Sequence, residues 1–134
     1  MIRFWLVIVA IAVSYAVWRH LRGRVRRAAI RAGSQEQALL LRLRLPEGRA
    51  GDETPTIVAL EESIENALRR QGAGEFDGHD LRDGVWTLYL YGPDARRIFE
   101  SVAEVVRGAR LDSSSHAIMR FGERGAREER VHLT

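Results

Sequence analysis

Residues 74–95, GEFDGHDLRDGVWTLYLYGPDA, contain the pattern from which the fold can be predicted. Residues 74–82 and 85–91 flank Asp83-Gly84, a dipeptide that strongly favours a two-residue turn, and the second of these runs alternates between its two faces. We therefore predict two antiparallel strands, one on each side of this turn. The apolar side chains of the second strand share one face, which we expect to pack against the core: Trp86, Leu88 and Leu90.

A helix is predicted on either side of this hairpin. Residues 54–71 carry apolar side chains at helical spacing. Thr54 is the predicted N-cap, Pro55 the predicted first helical position, and Gly72 the predicted stop signal. The second helix begins after Asp94 and has its own apolar stripe, so both helices are expected to cover one face of a sheet.

Strands are predicted before the first helix and after the second. Residues 38–45, ALLLRLRL, form a strand pattern with Leu39, Leu41, Leu43 and Leu45 on one face and Leu40, Arg42 and Arg44 on the other. Residues 115–121 and 129–133 have strand patterns as well. The order indicates an α+β domain. We expect this domain to be a ferredoxin-like antiparallel sheet with two helices on one face, β-α-β-β-α-β, plus a short C-terminal strand.

The segments GEFDGH at 74–79 and LYLYGPDA at 88–95 resemble a small family of uncharacterised bacterial proteins. A later Arg-aromatic-Gly motif of that family is matched by residues 120–122, and the resemblance covers most of residues 38–134. It implies the same ferredoxin-like fold. No activity is assigned to the family, so the resemblance implies no chemistry.

An apolar run precedes this domain. From Ile2 to Trp18 there are seventeen residues with Arg3 as the only charge. As a helix this run would span roughly 25 Å, which is close to the thickness of a bilayer core. We predict a single transmembrane helix over residues 1–18. The competing interpretation is a cleavable signal peptide that ends at residues 14–16, and the arginines directly after that site disfavour export.

Arginines follow the apolar run before the first acidic residue, Glu36. Residues 19–37 are therefore predicted to be a basic juxtamembrane connector. The positive-inside rule places the N-terminus outside and residues 38–134 in the cytoplasm, at the inner membrane of a bacterium. Five connector arginines are also expected to contact lipid headgroups: Arg19, Arg22, Arg24, Arg26 and Arg27.

Charge is divided unevenly along the 134 residues. Residues 1–31 hold seven arginines and no acidic residue, whereas residues 32–134 hold fourteen arginines and eighteen acidic residues, which leaves the domain at −4 within a total of +3. An acidic domain of this kind is a poor partner for nucleic acid, so none is expected. The chain has no cysteine, which excludes disulfides and thiolate chemistry, and no cofactor motif is found.

The sheet face away from the helices is predicted to carry Arg42, Arg44, Tyr89 and Tyr91. Tyrosine and arginine are enriched at the energetic centres of protein interfaces, and they also hold anionic ligands. We expect this face to bind a protein partner, a second copy of the chain or a small anionic ligand. No catalytic constellation is evident, so the predicted function is a membrane-anchored, non-enzymatic interaction or sensor domain.

An alternative function rests on Glu75, Asp77 and His79, which alternate along one predicted strand and are expected to share a face. Two carboxylates and an imidazole can hold a divalent cation, as a small metal-dependent hydrolase requires. A polar edge strand is the simpler explanation. A third hypothesis is a protein that acts at the lipid surface through its connector arginines.

Overall fold

The structure, a computed structural model, describes residues 36–47 and 53–134. They belong to the compact unit Ser34–Thr134. The described residues form five strands and two helices in the predicted order: β1 Gln37–Leu43, α1 Thr54–Gln71, β2 Glu75–Arg82, β3 Val85–Gly92, α2 Ala95–Arg107, β4 His116–Arg120 and β5 Glu128–His132.

The predicted membrane helix, residues 1–18, lies outside the described residues, as do the five connector arginines expected to contact lipid. Within residues 36–47 and 53–134, no helix combines the length and the apolar character that crossing a bilayer requires.

The strands lie in the order β2-β3-β1-β4-β5, and every neighbouring pair is antiparallel. Strand β1 is at the centre because it pairs with the hairpin strand β3 on one side and with β4 on the other. This order is consistent with a ferredoxin-like fold, with β5 added outside β4. The predicted α+β architecture, an antiparallel sheet with two helices, is confirmed for the part of the chain that the structure describes.

One face of the sheet packs against α1 and α2. Alternation in β1 and β3 predicted which face this is, and the predicted residues are buried there. The leucines on this face of the two strands are fully enclosed: Leu39, Leu41, Leu43, Leu88 and Leu90. The helices contribute their apolar stripes to the same core: Ile57, Leu60, Ile64, Ala67 and Leu68 from α1, and Ala95, Ile98, Val102 and Val106 from α2. Each large apolar side chain buried in this way stabilises the fold by about 1.5–3 kcal/mol.

The turn and two of the helix ends also follow their local signals. Asp83 and Gly84 have φ angles of 51° and 73°, the left-handed conformations of a tight hairpin turn. Gly72 closes α1 in the left-handed conformation, at φ 57°. The carboxylate of Asp94 accepts two backbone N–H groups from the first turn of α2, at 2.9 and 3.2 Å.

The predicted start of α1 is wrong by one residue. Glu53 is the N-cap, and Thr54 is already the first helical residue. The side chain of Glu53 makes no capping bond, and its carboxylate accepts the indole N–H of Trp86 at 2.9 Å instead. The side chain of Glu53 is used in this tertiary contact and not in capping the helix. A buried tryptophan needs a partner for its N–H group, and Glu53 provides that partner from a distant part of the sequence.

Candidate functional site

The open face of the sheet consists of the residues that alternate with the buried ones. Strand register aligns these residues in three cross-strand rows, each running from β2 to β5. The central row is Gly78, Tyr89, Leu40, Ile118 and Arg130. The Tyr91 row is Glu75, Tyr91, Ala38, Arg120 and Glu128. The Arg42 row is Asp80, Thr87, Arg42, His116 and His132.

Apolar side chains occupy the middle of this face. Tyr89, Leu40 and Ile118 stand side by side on β3, β1 and β4, and all three are half-buried. Ala38, the neighbour of Leu40 along β1, is 1% exposed. Charged residues surround this strip on β2, β5 and the ends of the central strands. An apolar centre with a charged margin is the anatomy of a protein interface.

Three of the four predicted open-face residues lie on this face. Arg42 is exposed, and Tyr89 and Tyr91 are half-buried in adjacent rows. Leu40 and Ile118, which complete the apolar strip, were not predicted as site residues. The alternation of β1 already placed Leu40 on this face, and its apolar side chain was the signal available in the sequence.

Arg44 has a structural contact instead. It lies just beyond β1, and its guanidinium donates to the backbone carbonyl of Asp83 at 3.1 Å. A Cβ on Gly84 would lie 3.1 Å from a guanidinium nitrogen of Arg44, so the side chain crosses closely over the hairpin turn. Arg44 therefore ties the β2–β3 turn to the end of β1.

The prediction that Glu75, Asp77 and His79 share a face is wrong. The pairing of β2 with β3 shifts by one residue at Asp77, which forms a β-bulge. As a result Glu75 stands opposite an open-face tyrosine, whereas His79 stands opposite a buried leucine on the helix side. Gly78 takes a φ of 120° at the bulge. No group of three or more His, Cys, Asp or Glu residues in the described ranges is arranged to hold a metal ion.

His79 contacts helix α1 instead of a ligand. Its Nδ1 forms a short contact with the carboxylate of Glu61, and its ring packs edge-on against Trp86 with a centroid distance of 5.1 Å. The same indole bonds to Glu53 at the start of α1. These contacts join the edge strand β2 and its neighbour β3 to α1, so we assign His79 a structural role.

Two serines before β4, Ser114 and Ser115, also make structural contacts. The hydroxyl of Ser115 accepts the backbone N–H of Arg44 at 3.0 Å and donates to its carbonyl at 3.2 Å, which extends the pairing of β1 with the β4 side. The Ser114 hydroxyl and N–H donate to Asp112 at 2.6 and 2.9 Å, and these bonds lower the pKa of that carboxyl. His116 Nδ1 bonds to the backbone carbonyl of Ser114 at 2.9 Å. The hydroxyls of Ser114 and Ser115 therefore bond to groups other than His116.

Comparison of the chain with protein-family models, with curated proteins and with solved structures gives no match. The resemblance carried by the segments at 74–79 and 88–95 stays a prediction. The open face is the candidate site on geometry alone, because it combines a half-buried apolar centre with a charged margin.

Proposed function

We propose that this chain is a membrane-anchored, non-enzymatic interaction domain whose open face binds a protein partner. The observation that supports this function is the apolar strip formed by Tyr89, Leu40 and Ile118, with Arg42 and Arg130 at its margin. Binding a partner removes such a strip from water, and each Å² of apolar surface buried contributes about 25 cal/mol. The tyrosine and arginine side chains add the contacts that dominate many interfaces.

A protein partner fits this face better than a small anionic ligand does. Sites for small molecules are concave and enclose most of the ligand. The arginines of the open face stand on separate strands around the apolar strip, and Arg42 and Arg130 are exposed. Exposed cations of this kind hold a single anion weakly because water screens their charge.

The anchor in this proposal rests on the sequence. The apolar run from Ile2 to Trp18 and the arginines that follow it favour one membrane-spanning helix with the domain on the cytoplasmic side of the inner membrane. Confinement to a membrane raises the effective concentration of a domain toward partners in the same membrane. A small interaction domain gains affinity in this way without a larger interface.

The first prediction concerns the anchor. We expect the full-length chain to stay in the membrane pellet after extraction at high pH, because the apolar run is embedded in lipid. A C-terminal reporter that fluoresces only in the cytoplasm should be active, and a C-terminal alkaline phosphatase fusion should be inactive. Recovery of a shortened chain that begins near Val17 from the periplasm would contradict the anchor and support the signal peptide.

The second prediction tests the interaction face. With Tyr89 replaced by the photoreactive benzoyl-phenylalanine in the full-length chain, irradiation of intact cells should give a protein adduct of higher mass. The same replacement at Glu100, which is exposed on α2, is the matched control and should give none. Adduct-free irradiation with the photoreactive residue at Tyr89 and, separately, at Leu40 would overturn the proposed function.

A further inference from the structure

We propose that His116 and His132 form a site for a divalent transition-metal ion such as Cu²⁺ or Zn²⁺. The two histidines stand opposite each other on β4 and β5, at the β5 end of the Arg42 row. The site has two protein ligands, fewer than the groups of three that the described residues lack, and water fills the other positions around the ion. A metal ion held here needs no protein partner, so the site goes beyond the proposed function.

The pairing of β4 with β5 brings the two histidines close together. Leu133 donates its backbone N–H to the carbonyl of Ser115 at 3.3 Å, which makes these two residues a hydrogen-bonded pair of the antiparallel ladder. Such pairs alternate with non-hydrogen-bonded pairs, in which Cα atoms are about 4.5 Å apart and side chains lie closer. His116 and His132 are one step further along the same register, so they are a non-hydrogen-bonded pair.

Both histidines belong to the open face of the sheet. Ala117, the next residue of β4, is fully buried on the helix side, and alternation places His116 on the other side. His116 is half-buried and His132 is exposed. Cβ atoms of residues directly opposite each other lie about 4.5–5.5 Å apart. Two imidazole rings that extend from such positions can reach one ion, because each Zn–N bond is about 2.0–2.1 Å long.

The hydrogen bond of His116 leaves the ring nitrogen that a metal needs. Its Nδ1 lies 2.9 Å from the backbone carbonyl of Ser114, and a carbonyl only accepts, so Nδ1 carries the hydrogen. In the neutral ring Nε2 then keeps its lone pair. Histidines that bind metals usually donate their other N–H in this way, which fixes the ring. Ser114 is held in turn by Asp112, which accepts its N–H at 2.9 Å and its hydroxyl at 2.6 Å.

The Nε2 atom of His116 is itself the second observation that points to a ligand. It is enclosed, and it has no hydrogen-bond partner within the described part of the chain. A buried acceptor without a partner costs free energy, and a bound ion is one of the features that explain such an atom. The residues beside His116 in the row, Arg42 and His132, are exposed. Exposed side chains change rotamer rapidly, so either can turn aside to admit an ion.

The ligands and their charged neighbours select the class of ion. Imidazole nitrogen suits Cu²⁺, Ni²⁺ and Zn²⁺, whereas Mg²⁺ and Ca²⁺ prefer oxygen ligands. Arg42 lies beside His116, and Arg130 precedes His132 by two positions on the same face. These cations oppose an ion that is held by charge alone, such as Mg²⁺. We therefore expect Cu²⁺ to bind more tightly than Zn²⁺, in the usual order for such ligands, and Mg²⁺ not to bind.

A bound ion also joins an edge strand to the sheet. β5 lies at the edge and pairs only with β4. An ion that bridges His116 and His132 therefore adds a second kind of contact between these strands. Because a ligand that binds only the folded state stabilises it, Zn²⁺ should raise the urea midpoint of the domain and slow hydrogen exchange of the β5 amides.

Titration of Cu²⁺ into the purified full-length chain, in mild detergent and without a polyhistidine tag, tests the site. We expect one ion per chain by calorimetry and a paramagnetic resonance spectrum with coupling to two imidazole nitrogens. His132→Gln changes an exposed residue, so the variant should fold and show at most one such nitrogen. Its affinity should fall at least about tenfold, because loss of even a partner behind a metal ligand costs about 10–100-fold.

Two further variants complete the test. His116→Gln should lose binding as His132→Gln does, and pulse proteolysis with a metal-independent protease checks that each variant is folded. His20→Gln is the matched control, because it removes a histidine outside the proposed site, and its affinity should equal that of the original chain. Zn²⁺ should raise the urea midpoint of the original chain and of His20→Gln only, and Mg²⁺ should raise none.

Equal Cu²⁺ affinity in the original chain and in folded His132→Gln would overturn the site. So would a loss of binding in His20→Gln that the other two variants do not show. Both results concern the purified chain alone, whereas the photoreactive residue at Tyr89 reports capture of a protein in cells. Failure of the metal site is therefore distinguishable from failure of the interaction face.

Discussion

Replacement of Gly92 by alanine should destabilise the domain by about 2–3 kcal/mol, the upper range for an overpacked site. A Cβ on Gly92 would lie 2.5 Å from the backbone oxygen of Ala73 and 3.0 Å from Cδ1 of Ile98. Gly74 faces it, and a Cβ there would lie 2.3 Å from the backbone oxygen of Tyr91. The nearest atom in each case belongs to the backbone, which cannot rotate away. This pair of glycines therefore allows the chain entering β2 to pass close to the end of β3.

Pulse proteolysis of the full-length chain in mild detergent, across a urea series, measures the folded fraction of the domain. Gly108→Ala is the matched control because Gly108 has an ordinary φ of −73°, and its added Cβ would lie 3.3 Å from the backbone oxygen of Glu104, a contact relieved by a shift of a few tenths of an ångström. The midpoint for Gly92→Ala should fall well below that of the original chain, and Gly108→Ala should shift it little. Equal midpoints for the two variants would contradict the close approach.

Leu88→Ala should cost about 2–5 kcal/mol, the range measured for buried leucines. Leu88 is fully enclosed on β3, where it stands between Leu41 of β1 and His79 of β2 under the helices. Truncation removes its contacts and leaves a cavity that the close-packed surroundings fill only in part. The same proteolysis assay reads the loss as a lower urea midpoint.

Leu81→Ala is the matched control for this prediction. Leu81 is on the neighbouring strand β2 and points to the same side of the sheet, but it is 48% exposed at the hairpin end. Substitutions at such exposed sites usually change the free energy of unfolding by about 0.5 kcal/mol or less. An equal fall in the urea midpoint for Leu88→Ala and Leu81→Ala would contradict the enclosure of Leu88 in the core.

The order of elements and the core could be predicted because their signals are local. Alternation along β1 and β3 separates the two faces of a strand whatever that strand pairs with. Asp83-Gly84 forms a tight turn because both positions accept positive φ. Gly72 and Asp94 end and begin helices through bonds within a few residues of themselves. Such features need no knowledge of distant neighbours.

The candidate site was harder to predict because one residue of register changes it. The bulge at Asp77 moves His79 to the helix side of the sheet, so Glu75 and His79 do not share the face that the predicted metal site requires. The only local sign was Gly78, since glycine inside a strand often marks a bulge. Arg44 gave no such sign, because its partner is the backbone of a turn far along the chain.

The amino-acid sequence alone specifies which residues form strands and helices and which side of each strand is apolar, because backbone geometry repeats every two or every few residues. The side-by-side placement of Tyr89, Leu40 and Ile118 on three strands, in contrast, arises from tertiary structure. Their alignment depends on hydrogen bonds between segments far apart in the chain. The surface on which the proposed function rests is therefore a product of register, which no single segment of the sequence specifies.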